Sequence, residues 1–355
     1  MAEPQTSSTP LQEPVMSTTV QVATQETMRV AVAASAGADL VFEQRAKPAL
    51  VAGRVMVKVV AAGLNPLDGK IRMAQAAHAR QPLPSTIGMD MSGVVVDVAP
   101  DVKGFKIGDE VFGMVGGVGG NPGTLAEYIA ADARLLATKP SALNWHEAAA
   151  LPLIFITAWE GLVDRAKVKA GDKVLVHGGA GGVGHVAIQI AKSFGAEVWA
   201  TGTSAQRGVI ERLGAVAIDY EAESVEEYVN RATAGEGFDV VYDTVGGKTI
   251  DAAFAAIRTY TGHVVTSLGW GTHSLAPLSF RGATYSGVFT LLPLLTGKGR
   301  EHHGEILRAA AALADEGKLR PLLSPHPFDL SQANSAFAQM AAPSNIGKVV
   351  VGLHG

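Results

Sequence analysis

The stretch KVLVHGGAGGVGHVAIQIAK, residues 173–192, restricts the folds open to this chain more than any other. An apolar run ends in a cluster of glycines, and a run with helical apolar spacing begins at once. Gly179, Gly181 and Gly184 fill the pattern G-x-G-x-x-G, with Gly182 and Val183 ahead of the last glycine. A Gly-rich chain produces such strings by chance, so the context decides: a buried strand before, an amphipathic helix after. There the small residues let the backbone approach a pyrophosphate. The free N–H groups and dipole of the following helix then stabilise its charge.

The kind of dinucleotide follows from the next strand. An acid roughly 20 residues beyond the glycines usually binds a free ribose 2′-hydroxyl. Here that segment reads TGTSAQR, residues 201–207, and holds no acid. Ser204 can donate to a 2′-phosphate and Arg207 can neutralise it, which favours NADPH. Tyr220, ending the strand AVAIDY, either lies beside the same phosphate or caps the strand.

From Met28 onward, MRVAVAAS, LVFEQR, RVMVKVVAAGLNP, SGVVVDVAP and GDEVFGMV alternate apolar and polar residues between Gly and Pro breaks. They predict a strand-rich region over about residues 28–140. Asn144 and Glu147 have capping-box spacing ahead of EAAALP, and Thr157 opens a helical stretch, TAWEGLVDRA. The strands KVLVHG, EVWATG, AVAIDY, FDVVYDTVG and GHVVTSLG then alternate with helical stretches, predicting a doubly wound parallel sheet over residues 153–291. HGEILRAAAALADEG and LSQANSAFAQMAA read as helices, and GKVVVGL as the last strand. Residues 1–27, rich in Thr, Ser, Gln and Pro and without Lys or Arg, read as a disordered tail with no targeting signal.

Composition excludes several functions. The 355 residues, 47% hydrophobic, 17% charged and with 41 Gly, suit a two-domain α/β enzyme. A net charge of −4 offers no field for nucleic acid or an anionic membrane. Apolar runs such as residues 148–159 fall short of the roughly 20 residues that a bilayer span needs. With no Cys, disulfides and thiolate-held zinc are excluded, which fits a reducing, cytoplasmic setting.

GLNPLD, GMDMSGVVVDVAPDVKGFKIGDEVFG, LPLIFITAWEGL, GDKVLVHGGAGGVGHVAIQIAK and the terminal IGKVVV resemble the medium-chain dehydrogenase/reductase superfamily. Within it they resemble the zinc-independent quinone oxidoreductase and enone reductase branch, over nearly everything from residue 28 on. The resemblance implies an α/β protein with a GroES-like β-rich catalytic domain from residues 28–152 and 292–355. Between these would lie a Rossmann doubly wound parallel sheet domain, residues 153–291, with the active site in the cleft. It also implies a homodimer or tetramer, with dimer contacts near GATYSGVF, residues 282–289.

By position, the resemblance places Asn65 beside the nicotinamide ribose and Thr157 at the nicotinamide end. Thr244 and the loop Leu268-Gly269 would line the cofactor's other side, and Asn345 and Lys348 would contribute from the C-terminal segment. Lys70 stands where several quinone reductases have Tyr. Zinc-dependent members carry Gly-His-Glu where this chain reads Gly88-Met89-Asp90. Met is a poor zinc ligand, so no metal is expected, and Asp90 is read as a structural hydrogen-bonding group near the cleft.

Of the histidines, His302 and His303 read as surface residues, and His177 and His185 as packing or phosphate-side residues. His78 reads as a loop residue, with a substrate contact as the other reading. Without a metal, a conjugated acceptor (quinone, enone or alkenal) is the expected substrate, because its developing charge spreads over an enolate. Lys70 is then the candidate donor to the oxygen, with Asn65 in support. A zinc-free carbonyl reductase and a non-catalytic NADPH-binding protein are the alternatives.

Overall fold

The computed structural model describes residues 1–2, 26–343 and 345–353. The expected tail therefore falls almost wholly outside the described residues. Six parallel strands form one sheet: Val216–Asp219, Glu197–Gly202, Lys173–His177, Val240–Asp243, His263–Thr266 and Thr284–Gly287. In chain order this is 3-2-1-4-5-6, the doubly wound arrangement whose direction of growth reverses between the first and fourth strands. The central strands VLVH and VVYD are buried on both faces, which is why their sequences run apolar without alternation.

A second sheet of seven strands draws on both ends of the chain. Arg54–Gly63 and Asp90–Val98 form its centre, and the C-terminal strand Val350–Gly352 pairs antiparallel with Arg54–Gly63. Phe328–Asp329 adds to that terminal strand. A three-stranded sheet, Val41–Ala46, Thr27–Ala33 and Ser85–Thr86, lies beside it. No helix of the described residues is long and apolar enough to cross a membrane.

Local differences from the sequence reading have physical causes. The helix expected from Thr157 starts at Pro152, whose fixed φ and missing N–H suit a first helical position. It runs to Trp159 and widens into a π-type turn over Glu160–Arg165. Two unforeseen helices, Val225–Thr233 and Lys248–Ala256, complete the layers around the parallel sheet. The first carries only a narrow apolar stripe, with Tyr228, Val229 and Thr233 buried, although Ser224 and Glu227 form a capping box. His303, expected at the surface, is buried 3.5 Å from Glu160, while His302 pairs outward with Asp164 and Glu305. Neighbouring residues of a helix point about 100° apart, so one imidazole faces in and the other out.

The helix Gly182–Ser193 is stitched to the C-terminal segment by a hydrogen-bonded seam. His185 donates from Nδ1 to the Gly181 carbonyl (2.9 Å), and its Nε2 accepts from the Leu322 N–H (3.1 Å). Gln189 exchanges two bonds with the Arg320 backbone, at 2.8 and 3.0 Å. This pattern requires neutral imidazole, and complete burial lowers the His185 pKa from 6.5 to about 4. The unfolded chain therefore takes up the proton first. The stabilisation is complete above pH 6.5 and disappears as pH falls toward 4, up to about 3 kcal/mol. Denaturant melts should show His185→Gln less stable than wild type at pH 7.5, with a flatter dependence between pH 6.5 and 4.

Candidate active site

The glycine turn sits at the C-terminal end of the first parallel strand, beside the point where the sheet reverses direction. Gly178 takes φ +75°, a left-handed conformation that side-chained residues avoid. A Cβ on Gly184 would lie 2.0 Å from the Gly178 carbonyl oxygen, and one on Gly179 would lie 2.5 Å from Ala200 Cβ. These glycines let helix and strand approach closely, whereas exposed Gly181 caps the helix and leaves its backbone open. Gly182 and Val183 line a cleft. Thr244, after the fourth strand, bridges the reversal point by donating to the His177 carbonyl at 2.7 Å and lines the same cleft.

Ser204, Arg207 and Tyr220 are exposed beyond the ends of the second and third strands, and the Tyr220 N–H bonds the Gly202 carbonyl. Arg207 faces Glu211 at 3.4 Å, with both side chains half exposed. This group suits an anionic substituent, and the open helix N-terminus at Gly181 suits a pyrophosphate.

The floor of the cleft is ionic. Asn65 caps the helix Pro66–Arg72, with Pro66 in its first turn, and the Asn65 N–H bonds Asp68 Oδ2 at 2.8 Å. Asn65 Nδ2 donates to Asp90 Oδ2 at 2.9 Å, and the Leu153 N–H donates to Asp90 Oδ1 at 2.9 Å. Lys348, from the far end of the chain, donates to the Leu64 carbonyl at 2.7 Å and to Asn65 Oδ1. Its Nζ stands 3.7 Å from Asp90 Oδ2. Asp68, Asp90 and Lys348 are all buried, so desolvation dominates their protonation. It pushes Asp90 up to about 6 against the pull of Lys348, raises Asp68, and lowers Lys348 despite both carboxylates. Among the described residues, Asp68 Oδ1 has no hydrogen-bond partner. Asp90 thus makes the structural hydrogen bonds expected of it, and the cation beside it is an ammonium.

The cleft encloses about 280 Å³. Asn65, Lys70, His78, Thr157, Thr244, Leu268 and Lys348 line it, as does Thr290, whose hydroxyl lies 2.9 Å from that of Thr157. Lys70 is exposed on its helix, and among the described residues it makes no ion pair. Of the residues placed at the cofactor by sequence, Gly179, Gly181 and Gly184 of the turn and Ser204, Arg207 and Tyr220 lie outside this lining, as do Gly269 and Asn345. Gly269 is exposed behind Leu268, and Asn345 spans its own turn, donating to the Gly347 carbonyl at 3.0 Å. His78, Trp270 and Phe289 meet in an aromatic cluster on one wall. The sequence reading has the loop over residues 73–86 and the segment over residues 270–281 shape the substrate pocket, and Trp270 lines the cleft; it places Phe289 only within the expected dimer strand, yet Phe289 lines the cleft too. Among the described residues, no three His, Asp or Glu are placed to hold a metal ion.

A dinucleotide turn and a two-sheet cleft with a cation on its wall are the parts of a nucleotide-dependent oxidoreductase. Two family models match the chain: the alcohol dehydrogenase GroES-like domain over residues 51–141 and zinc-binding dehydrogenase over residues 213–351. The chain is 38% identical to a 2-methylene-furan-3-one reductase of Solanum lycopersicum, over 86% of this chain and 73% of the relative. It is 37% identical to a chloroplastic NADPH-dependent alkenal/one oxidoreductase of Arabidopsis thaliana, with the same shares covered. An alcohol dehydrogenase superfamily protein from Novosphingobium aromaticivorans superposes with a TM-score of 0.90 at 51% identity, over 92% of this chain and 100% of that one. The chain belongs to the medium-chain dehydrogenase/reductase family, in its quinone oxidoreductase and enone reductase branch. It is an oxidoreductase that uses a nicotinamide cofactor.

The ionic floor makes a stability prediction. Lys348→Met should destabilise the protein by about 3–5 kcal/mol in denaturant melts, because buried carboxylates lose their counter-ion. Combining it with Asp90→Asn should recover part of that loss, and a double-mutant cycle measures the coupling.

Proposed function

We propose that the protein is an NADPH-dependent reductase that adds hydride to a conjugated carbonyl or quinone without a metal. The observation that carries this reading is that Gly182 and Val183 of the dinucleotide turn line the same cleft as the ammonium of Lys70, which has no ion-pair partner among the described residues. NADPH, when bound, supplies a hydride from nicotinamide C4 to the β carbon of the acceptor. Lys70 donates a hydrogen bond to the acceptor oxygen as negative charge gathers on it. A proton from water at the cleft mouth then reaches the α carbon, so one hydride and one proton balance the saturated product.

Three further roles follow for the chain's own groups. Asn65 and Thr157 orient the ribose and nicotinamide end. Ser204 and Arg207 hold the 2′-phosphate, with Tyr220 beside them. The buried ammonium of Lys348 keeps the side chain of Asn65 fixed. Zinc independence is supported by the donor set: Met89 and Asp90 are buried, no Cys is present, and the Asp90 carboxylate already faces Lys348. A simple ketone is the poorer acceptor, since its charge stays on one oxygen. Among the described residues, the strand Thr284–Gly287 ends the parallel sheet with a free edge and carries half-exposed Tyr285, which supports pairing with a second copy.

NADPH oxidation should proceed with a quinone or an enal, persist in a chelator, and be negligible with a saturated aldehyde. Cofactor protection in a melting scan without turnover of any acceptor would instead support a non-catalytic binding protein. Lys70→Met should lower kcat for the best enone at least tenfold at saturating NADPH, the scale of one lost charged hydrogen bond. Unchanged turnover removes Lys70 from the reaction. Arg207→Ala should raise KM for NADPH about tenfold or more and leave that for NADH nearly unchanged.

A further inference from the structure

Three aromatic side chains from distant parts of the sequence converge on one wall of the cleft. His78 belongs to the short turn Ala77–Ala79, Trp270 follows the fifth parallel strand, and Phe289 follows the sixth. His78 and Trp270 stack with ring centroids 5.0 Å apart and planes at 29°. Phe289 stands nearly perpendicular to Trp270, at 87° and 6.0 Å, and meets His78 edge-on at 6.0 Å. All three line the cleft, yet Trp270 is 53% exposed. Packing against the core therefore does not account for that indole.

Two features narrow what such a wall can hold. Burial, and then the nearby Lys70, lower the pKa of His78, so the imidazole is neutral at pH 7 and the wall carries no charge. A third ring inserted between His78 and Trp270 would need two stacking gaps of about 3.5 Å each, more than their separation allows. A flat ligand meeting these rings would therefore lie along the wall rather than between them. The free space of about 280 Å³ must also take the reactive end of the cofactor, and ligand pockets commonly run from roughly 300 to 1,000 Å³. A compact acceptor with a single ring suits that space.

We propose that His78, Trp270 and Phe289 form the recognition wall for the acceptor, and that the acceptor is a flat conjugated carbonyl carrying a single ring. The inference rests on the reductase reading above and adds the substrate class to it. Aromatic rings recognise a flat partner through offset and edge-to-face contacts, and each such contact is worth roughly two- to tenfold in affinity beyond its area. An open-chain alkenal gains none of this.

The test compares 3-phenylprop-2-enal with hex-2-enal in the full-length protein with NADPH. Wild type should favour the ring acceptor about tenfold in kcat/KM, mainly through KM. Trp270→Leu and Phe289→Leu should collapse that ratio, whereas Trp270→Phe should keep most of it. Melting temperature and NADPH affinity report whether each variant is folded. A wild-type ratio below about twofold, or equal losses on both acceptors in the Leu variants, overturns the proposal.

If no acceptor oxidises NADPH, the reductase reading fails, and the wall is judged by binding alone. The NADPH-loaded protein is melted with 3-phenylpropanal or hexanal, the saturated counterparts. A larger shift with the ring aldehyde, lost in Trp270→Leu, sustains the wall, and equal shifts dismiss it.

Discussion

A buried ammonium ties the C-terminal segment of this chain to the helix cap at Asn65. Lys348 reaches Asn65 across 283 residues of sequence and bonds the Leu64 carbonyl beside it. Asp90 receives the Asn65 amide and the Leu153 N–H, so strand, helix cap and the helix Pro152–Trp159 meet at one carboxylate. Such a node is a poor source of stability in itself, because desolvating the ions cancels much of their attraction. Its value is positional. Every group in it has few alternative partners, so the backbone around the cleft floor has little freedom to shift.

The glycine turn imposes the complementary constraint from the other sheet. Contacts of 2.0 and 2.5 Å for a hypothetical Cβ leave no room for any side chain at Gly184 or Gly179. Strand, turn and helix are consequently locked at their closest approach, and the helix N-terminus points into the space above the ionic floor. The His185 and Gln189 seam ties that helix to residues 320–322, a short way before Lys348. The turn that would hold a pyrophosphate and the lysine that fixes the floor are thus registered through the same C-terminal segment.

Much of this was legible in the sequence because it is encoded locally. The glycine spacing, the all-apolar strand before it and the Asn144–Glu147 capping box each occupy a few adjacent residues, and each appears in the structure where the pattern placed it. The Pro152 start was misplaced because apolar residues continue on both sides of it. The inward turn of His303 depends on which face of its helix meets Glu160, and adjacent histidines carry no sign of that. Asn65 and Lys348 were named for the cofactor, but their direct contact was invisible, since no local pattern reports a bond between distant segments. The segment that begins at Trp270 was read as pocket-shaping, but the meeting of Trp270 and Phe289 with His78 was not foreseen, since only the tertiary fold creates it.

The two lysines at the cleft illustrate how burial divides labour between identical side chains. Lys348 has its donors committed to a carbonyl, an amide oxygen and the neighbourhood of Asp90, and burial lowers its pKa. To serve a substrate oxygen it would have to abandon a partner and leave a carboxylate uncompensated. Lys70 is solvated, unpaired among the described residues, and carried by a helix whose cap is fixed from below. It can turn toward a forming negative charge at little cost, since an exposed ammonium keeps water on its remaining donors. The buried cation therefore fixes the geometry of the floor, and the proposed chemistry falls to the exposed one. On this arrangement, acceptors that spread their charge gain most, because a single solvated ammonium stabilises concentrated charge far less than a metal ion does.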